Sequence, residues 1–152
     1  MKEPIETMRS VILLGIAIVL AGCHQGAVSA RPFTTIKPKV EDFAGDYIMV
    51  SRSDIPEGMA AQKGVACRIK ITSDETFSIE NFVNRDKVTV TTEGKWMLDT
   101  VGSDRGIDVW GLRLFSEPGI GTATFSGKTA PYRIVFIRGD PDSDNTIIFE
   151  RE

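Results

Sequence analysis

The side chains able to do chemistry in this sequence are few, and their spacing speaks of attachment more than of catalysis. There are two cysteines, Cys23 and Cys67, and one histidine, His24. A nucleophilic thiol needs a base within reach, and the one imidazole sits beside Cys23, ahead of any segment with a folding pattern. Neither a Cys-His nor a Ser-His-Asp arrangement can be assembled within the folded domain, and no multi-histidine metal site can form there. Cys67 lies in the run Val65-Ala66-Cys67-Arg68-Ile69-Lys70-Ile71. A period of two puts its thiol on an apolar face with Ile69 and Ile71, where a cysteine acts as a small buried hydrophobe. Asp140, Asp142 and Asp144 have the alternate spacing of a calcium loop. Asn145 stands where that loop needs Gly, and Arg151 where it needs a bidentate Glu, so the stretch reads as a polar hairpin turn. Acidic residues are plentiful, yet no pair is singled out for a two-carboxylate hydrolase. The expectation is no enzyme, no metal and no cofactor.

The elements around Cys23 explain its position. Residues 11–21 form an unbroken apolar run, interrupted only by the neutral Gly15, with Arg9 ahead of it. Roughly 20 apolar residues are needed to span a bilayer. A run of about half that length, preceded by a positive charge, has the form of a signal-peptide core. Glu3 and Glu6 dilute the positive segment, and translation from Met8 would give a tighter leader.

The run ends in Leu20-Ala21-Gly22-Cys23, which resembles the lipobox of bacterial lipoprotein precursors. That resemblance implies cleavage between Gly22 and Cys23, a thioether-linked diacylglycerol on Cys23, and attachment to a membrane of the bacterial envelope. An ordinary secretory leader cut near Ala27-Val28-Ser29-Ala30 is the competing reading. Two or more acyl chains hold a protein stably, at about 0.8 kcal/mol per buried CH₂. In lipoproteins of two-membrane bacteria, Asp after the acylated Cys favours the inner membrane. His24 in that place favours the outer one. With Cys23 acylated, Cys67 has no partner for an intrachain disulfide.

The sequence divides into a leader, 1–22, a lipid-anchored tether, 23–40, and one folded domain, 41–152. The tether contains Pro32 and Pro38 and no sustained periodicity. As a flexible coil it would average roughly 20–25 Å. From Asp42 onward the pattern is β. Alternating or apolar segments lie at 45–50, 65–71, 76–80, 88–91, 96–98, 107–115, 121–125, 132–138 and 146–151, with a turn signal at Glu93-Gly94 between two of them. A turn of helix is allowed near residues 40–44. The fold class is all-β, about eight short antiparallel strands in a meander or barrel, because the connections are too short for crossover helices. The long stretch 51–64 follows the first strand, as does the loop over the mouth of a lipocalin. Asp42-Phe43-Ala44-Gly45-Asp46-Tyr47 resembles the Gly-x-Trp start of lipocalins, with Tyr47 in place of Trp.

Three sets of residues are candidates for binding. Tyr132, Ile134 and Phe136 share one strand face while Val135 and Ile137 share the other, and Ile148 opposes Ile147 and Phe149. A strand facing solvent should be polar outside, so the second apolar face is either covered by the N-terminal segment or docks a partner. Tyr132, Ile134, Phe136 and Ile148 are therefore candidate partner-binding residues. Trp96 and Trp110 either fill the barrel or line a ligand pocket. Arg68, Lys70, Arg113 and Arg133 could form a basic stripe outside it.

The chain has 152 residues and a formal net charge of −3, with 41% hydrophobic and 26% charged residues. A mildly acidic domain has no general attraction for a phosphate backbone, so nucleic acid is not an expected partner. The leading expectation is a non-enzymatic envelope lipoprotein that binds another protein, as an inhibitor, an immunity protein or an accessory subunit. The alternative is a lipocalin-like carrier of a small apolar ligand.

Overall fold

The computed structural model describes residues 30–53, 65–83, 88–117, 121–139 and 145–152. The leader, Gly22, Cys23, His24, most of the 51–64 stretch and the Asp140, Asp142 and Asp144 run lie outside these residues.

One short helix, α1 (Val40–Phe43), precedes eight strands. These are β1 (Gly45–Arg52), β2 (Arg68–Ile71), β3 (Thr76–Val83), β4 (Thr89–Asp104), β5 (Ile107–Ser116), β6 (Gly121–Ser126), β7 (Arg133–Ile137) and β8 (Thr146–Arg151). Each strand pairs antiparallel with its sequence neighbour, and β8 returns to β1, so the sheet is a closed up-and-down barrel with no free edge. Closure removes the unpaired backbone that an edge strand would expose. The all-β barrel and the helical turn near residue 40 are as the sequence indicates.

Alternation decides what enters the barrel. Tyr47, Ile69, Ile71, Phe77, Ile79, Leu112, Leu114, Phe125, Ile134 and Phe149 point inward and are buried. Eight strands leave an interior about wide enough for such side chains to fill. Bulges at Val50, near Asn81 and at Val101 break the register of β1, β3 and β4. At the second of them Asn81 adopts φ 58°, and its amide donates to the Ala66 carbonyl at 3.2 Å.

β4 differs from the sequence expectation. Glu93-Gly94 is not a turn: Gly94 pairs with Phe77 on β3 and Ser116 on β5, inside one 16-residue strand. A Cβ on Gly94 would lie 2.1 Å from the Phe115 carbonyl oxygen. The glycine permits a close approach of two strands rather than a reversal. The reversal falls at Arg105 and Gly106, whose φ values of 53° and 79° suit a two-residue type I′ turn.

The N-terminal segment closes one end of the barrel. Phe43 of α1 is fully buried, edge-on to Trp96 at 5.2 Å and tilted against Phe125 at 4.9 Å. Part of the expected tether belongs to this plug. The Thr34 N–H donates to the Phe125 carbonyl and the Trp110 N–H donates to the Thr34 carbonyl, both at 2.9 Å. Thr34 thus takes the place between β5 and β6 where their own pairing stops, after Gly111 and Thr124. At the other end of the barrel β1, β3, β5 and β7 finish, and β2, β4, β6 and β8 begin.

Candidate functional site

Among the described residues, side chains fill the barrel interior. Trp96 is 5% exposed, and its indole N–H donates to the Thr72 carbonyl at 2.9 Å. Trp110 is half-buried at the plugged end, with the Lys37 ammonium 5.3 Å from its ring centre. The two rings expected to fill the barrel or line a pocket are wall and floor of the plug. Toward the opposite end, Phe136 and Phe149 meet edge-on at 5.8 Å. Phe82 there has two guanidiniums near its ring, Arg52 at 4.9 Å and Arg138 at 5.7 Å. Cys67 is buried, and its thiol is pushed up to about 11 by desolvation, with the Arg52 charge opposing.

The C-terminal hairpin is not an exposed docking face. Tyr132, Ile134, Phe136 and Ile148 are 7%, 0%, 2% and 0% exposed. Side chains this deeply buried offer almost no surface to a partner. Tyr132, Ile134 and Phe136 belong to the interior cluster. Ile148 faces outward between Val135 of β7 and Ser51 of β1, with the Arg133–Glu150 ion pair (2.8 Å) one pair further along. The outward arginines do not form a basic stripe either. Arg68 pairs with Glu152, Arg113 with Asp99 and Arg133 with Glu150, so local charge is balanced.

A concave surface of mixed polarity lies instead on the outer wall, where local geometry opens it. The Val101 bulge turns the end of β4, Gly111 puts no side chain on the outward face of β5, and Thr34 keeps β5 and β6 apart below Gly111. A Cβ on Gly111 would lie 2.1 Å from the Ala123 carbonyl oxygen and 2.6 Å from a Val101 methyl. The resulting groove, of about 240 Å³, is lined by Phe33, Val101, Val109, Thr122, Thr124 and Ile137, among others. Its surroundings are ion-paired. Arg31 meets Asp104 at 3.6 Å, and Arg113 meets Asp99 at 2.6 Å. The hydrogen bond from Arg113, then that from the Thr100 N–H, holds the Asp99 carboxyl below the usual carboxylate range.

Among the described lining residues, the hydroxyls of Ser103, Thr122 and Thr124 have no imidazole or thiol beside them. Such a surface can receive an apolar side chain and hydrogen-bond the backbone beside it. Among the described residues no group of three His, Cys, Asp or Glu side chains could hold a metal ion. A second, more open depression of about 500 Å³ lies along Thr72, Thr76, Ser78, Glu93 and Lys95. The Asp74 carboxylate beside it accepts from the hydroxyls of Thr72 and Thr76, which lower its pKa. That network stabilises the β2–β3 turn.

Sequence reasoning missed Phe33, Val101 and Val109, and placed Ile137 only on the second apolar face of its strand. The one local signal was Gly111 at an outward position of an otherwise alternating strand, since a strand glycine often marks a bend or close approach. No protein-family model, no curated protein and no solved structure matches this chain.

Proposed function

We propose that this chain is a lipid-anchored envelope lipoprotein whose barrel acts, without catalysis, by binding another protein on its outer wall. The observation that carries this reading is the contrast between a filled interior and a concave outer wall of mixed polarity. Inside, Phe43, Trp96, Phe125, Phe136 and Phe149 are each at most 5% exposed. Outside, the groove at Phe33, Val101, Val109 and Ile137 combines apolar walls with threonine hydroxyls. An apolar anchor residue in a desolvated pocket with polar groups around it is the arrangement that concentrates binding energy in protein interfaces. The filled interior weighs against the carrier alternative, because an apolar ligand would have to displace packed rings.

Attachment through Cys23 supports the same reading. Two or three acyl chains would confine the domain to one membrane, where a binding module meets a membrane-associated partner at high local concentration. The lipobox resemblance and the residue after it, His24, make the outer membrane the favoured site.

The test is site-specific photocrosslinking in the native envelope. A benzophenone side chain at Thr122, on the rim of the groove, is expected to yield one discrete protein adduct. The same group at Lys70, on an outward position of β2, is expected to yield none. Absence of an adduct from Thr122, or identical adducts from both positions, would remove the groove as a binding site. Intact mass of the purified envelope form tests the anchor separately, by the acyl mass on Cys23.

A further inference from the structure

We infer that the plugged end of the barrel is a membrane-contacting face, which lays the domain on the bilayer in one orientation with Ile36 and Ile107 at the lipid interface. This inference rests on the lipid at Cys23 proposed above. The two most exposed large apolar side chains among the described residues are Ile36, at 75%, and Ile107, at 56%. Both belong to this end. Ile107 is paired with Asp104 across the Arg105-Gly106 turn. Ile36 follows Thr34, which is held by Trp110 and Phe125, and precedes Lys37, which lies over Trp110.

The place where the chain arrives selects the occupant. Arg31 is tied to Asp104 beside that same turn, and the Gly127 N–H donates to the Pro32 carbonyl at 2.8 Å. The described chain therefore begins at the plugged end, with Ala30. Only six residues lie between Cys23 and Ala30, a distance of seven residue steps. At no more than about 3.6 Å per residue this end lies within about 25 Å of an acylated Cys23. The length available is far shorter than a free tether reaching to residue 40 would allow, because residues 32–34 are already bonded to the barrel.

Charge gives no comparable pull. Arg31, Lys37, Lys39, Arg105 and Lys128 stand among Glu41, Asp42, Asp74, Glu75, Asp104 and Asp108 at this end. The contact is thus apolar, and it should be indifferent to salt and to anionic lipid. Two isoleucines alone would bind weakly, but a short anchor makes the contact intramolecular, at an effective concentration on the order of millimolar. Weak contact is then enough to orient the domain.

The experiment uses the chain from Cys23 to Glu152, which contains every described strand. Cys23 is coupled to a maleimide lipid in phosphatidylcholine vesicles. Cys67 is 5% exposed and its thiol is pushed up to about 11, so coupling is selective. Amide hydrogen exchange is compared with the same chain capped by a soluble maleimide. The expected result is several-fold slower exchange in residues 35–37 and 105–107, unchanged by 0.5 M salt. No change is expected around Val88 at the opposite end or Phe115 on the wall. The double substitution Ile36→Asp with Ile107→Asp is expected to abolish the protection while leaving the melting temperature of the capped chain unaltered. Equal exchange in the two forms, or protection spread evenly to Val88, would overturn the inference whatever the variant does. Because the lipid is attached chemically, that outcome is separate from a failure of native acylation, which the envelope mass measures.

Discussion

The Tyr47 hydroxyl donates to the Phe43 carbonyl at 2.7 Å, four residues back along the chain. That bond ties the first strand to the helix closing the barrel floor. Both residues have no exposed surface, and the carbonyl is among those that a four-residue helix leaves without an internal donor. Arg151, at the end of the last strand, reaches the same corner, where its guanidinium donates to the Ala44 carbonyl at 2.6 Å. The first and last strands are thus joined at the plug by side chains as well as by the ladder between them.

The Tyr47 bond makes stability depend on alkaline pH. Burial pushes the phenol from its ordinary 10.0 to about 12, with the Arg151 charge opposing. A group whose folded pKa lies above its unfolded one contributes in full below pH 10 and loses that contribution as pH rises through 12. At about 1.4 kcal/mol per unit, the loss across that window is on the order of 2–3 kcal/mol. Urea melts at pH 9 and pH 12 are expected to show it. In Tyr47→Phe, where no phenol titrates, the fall should shrink to what other groups contribute.

Removing the plug residue should cost far more than removing its hydrogen bond. Phe43→Ala opens a cavity between Trp96 and Phe125, and large-to-small changes at buried aromatics typically cost about 3–5 kcal/mol. Tyr47→Phe at neutral pH keeps the packing and leaves one carbonyl unsatisfied, a loss of about 1–2 kcal/mol. Chemical denaturation of the two variants at pH 7 checks the order. A Phe43→Ala midpoint equal to that of the parent would mean the helix is not part of the core.

Two strand glycines should respond in opposite ways. Gly111→Ala drives a methyl into the Ala123 carbonyl and the Val101 side chain, so destabilisation of at least about 2 kcal/mol is expected, as for an overpacked site. Gly102→Ala meets nothing within 4 Å, and a change within about 0.5 kcal/mol is expected. Thermal unfolding of both variants measures the contrast.

Cys67 should be chemically silent until the barrel opens. Its burial and raised pKa leave almost no thiolate at pH 8. A disulfide exchange reagent at pH 8 should modify Cys67 only as fast as the barrel unfolds, and at once in denaturant. Fast modification of the native chain would place the thiol at the surface.

The sequence alone was sufficient for the class of fold and for most of what fills it. Alternation is a local property, because successive Cβ atoms leave a strand on opposite sides. It assigned Cys67, Ile69 and Ile71, and likewise Tyr132, Ile134 and Phe136, to shared faces without any knowledge of their partners. Short connections then made neighbouring strands antiparallel, and eight of them sufficed to close. The resemblance of Leu20-Ala21-Gly22-Cys23 to a lipobox likewise rests on four adjacent residues.

What the tertiary structure decided depends on residues far apart in the chain. Glu93-Gly94 carries turn chemistry, yet Gly94 has a paired strand on each side, and those ladders hold it extended. The apolar outer face at Ile148 looked available until Val135 and Ser51 were placed beside it. Thr34 looked like tether until Phe125 and Trp110 offered it a carbonyl and an N–H. The groove exists only where a bulge on β4, a glycine on β5 and that inserted Thr34 coincide. Strand periodicity is written locally, but cover and concavity arise from contacts between segments dozens of residues apart, and only the closed barrel brings those segments together.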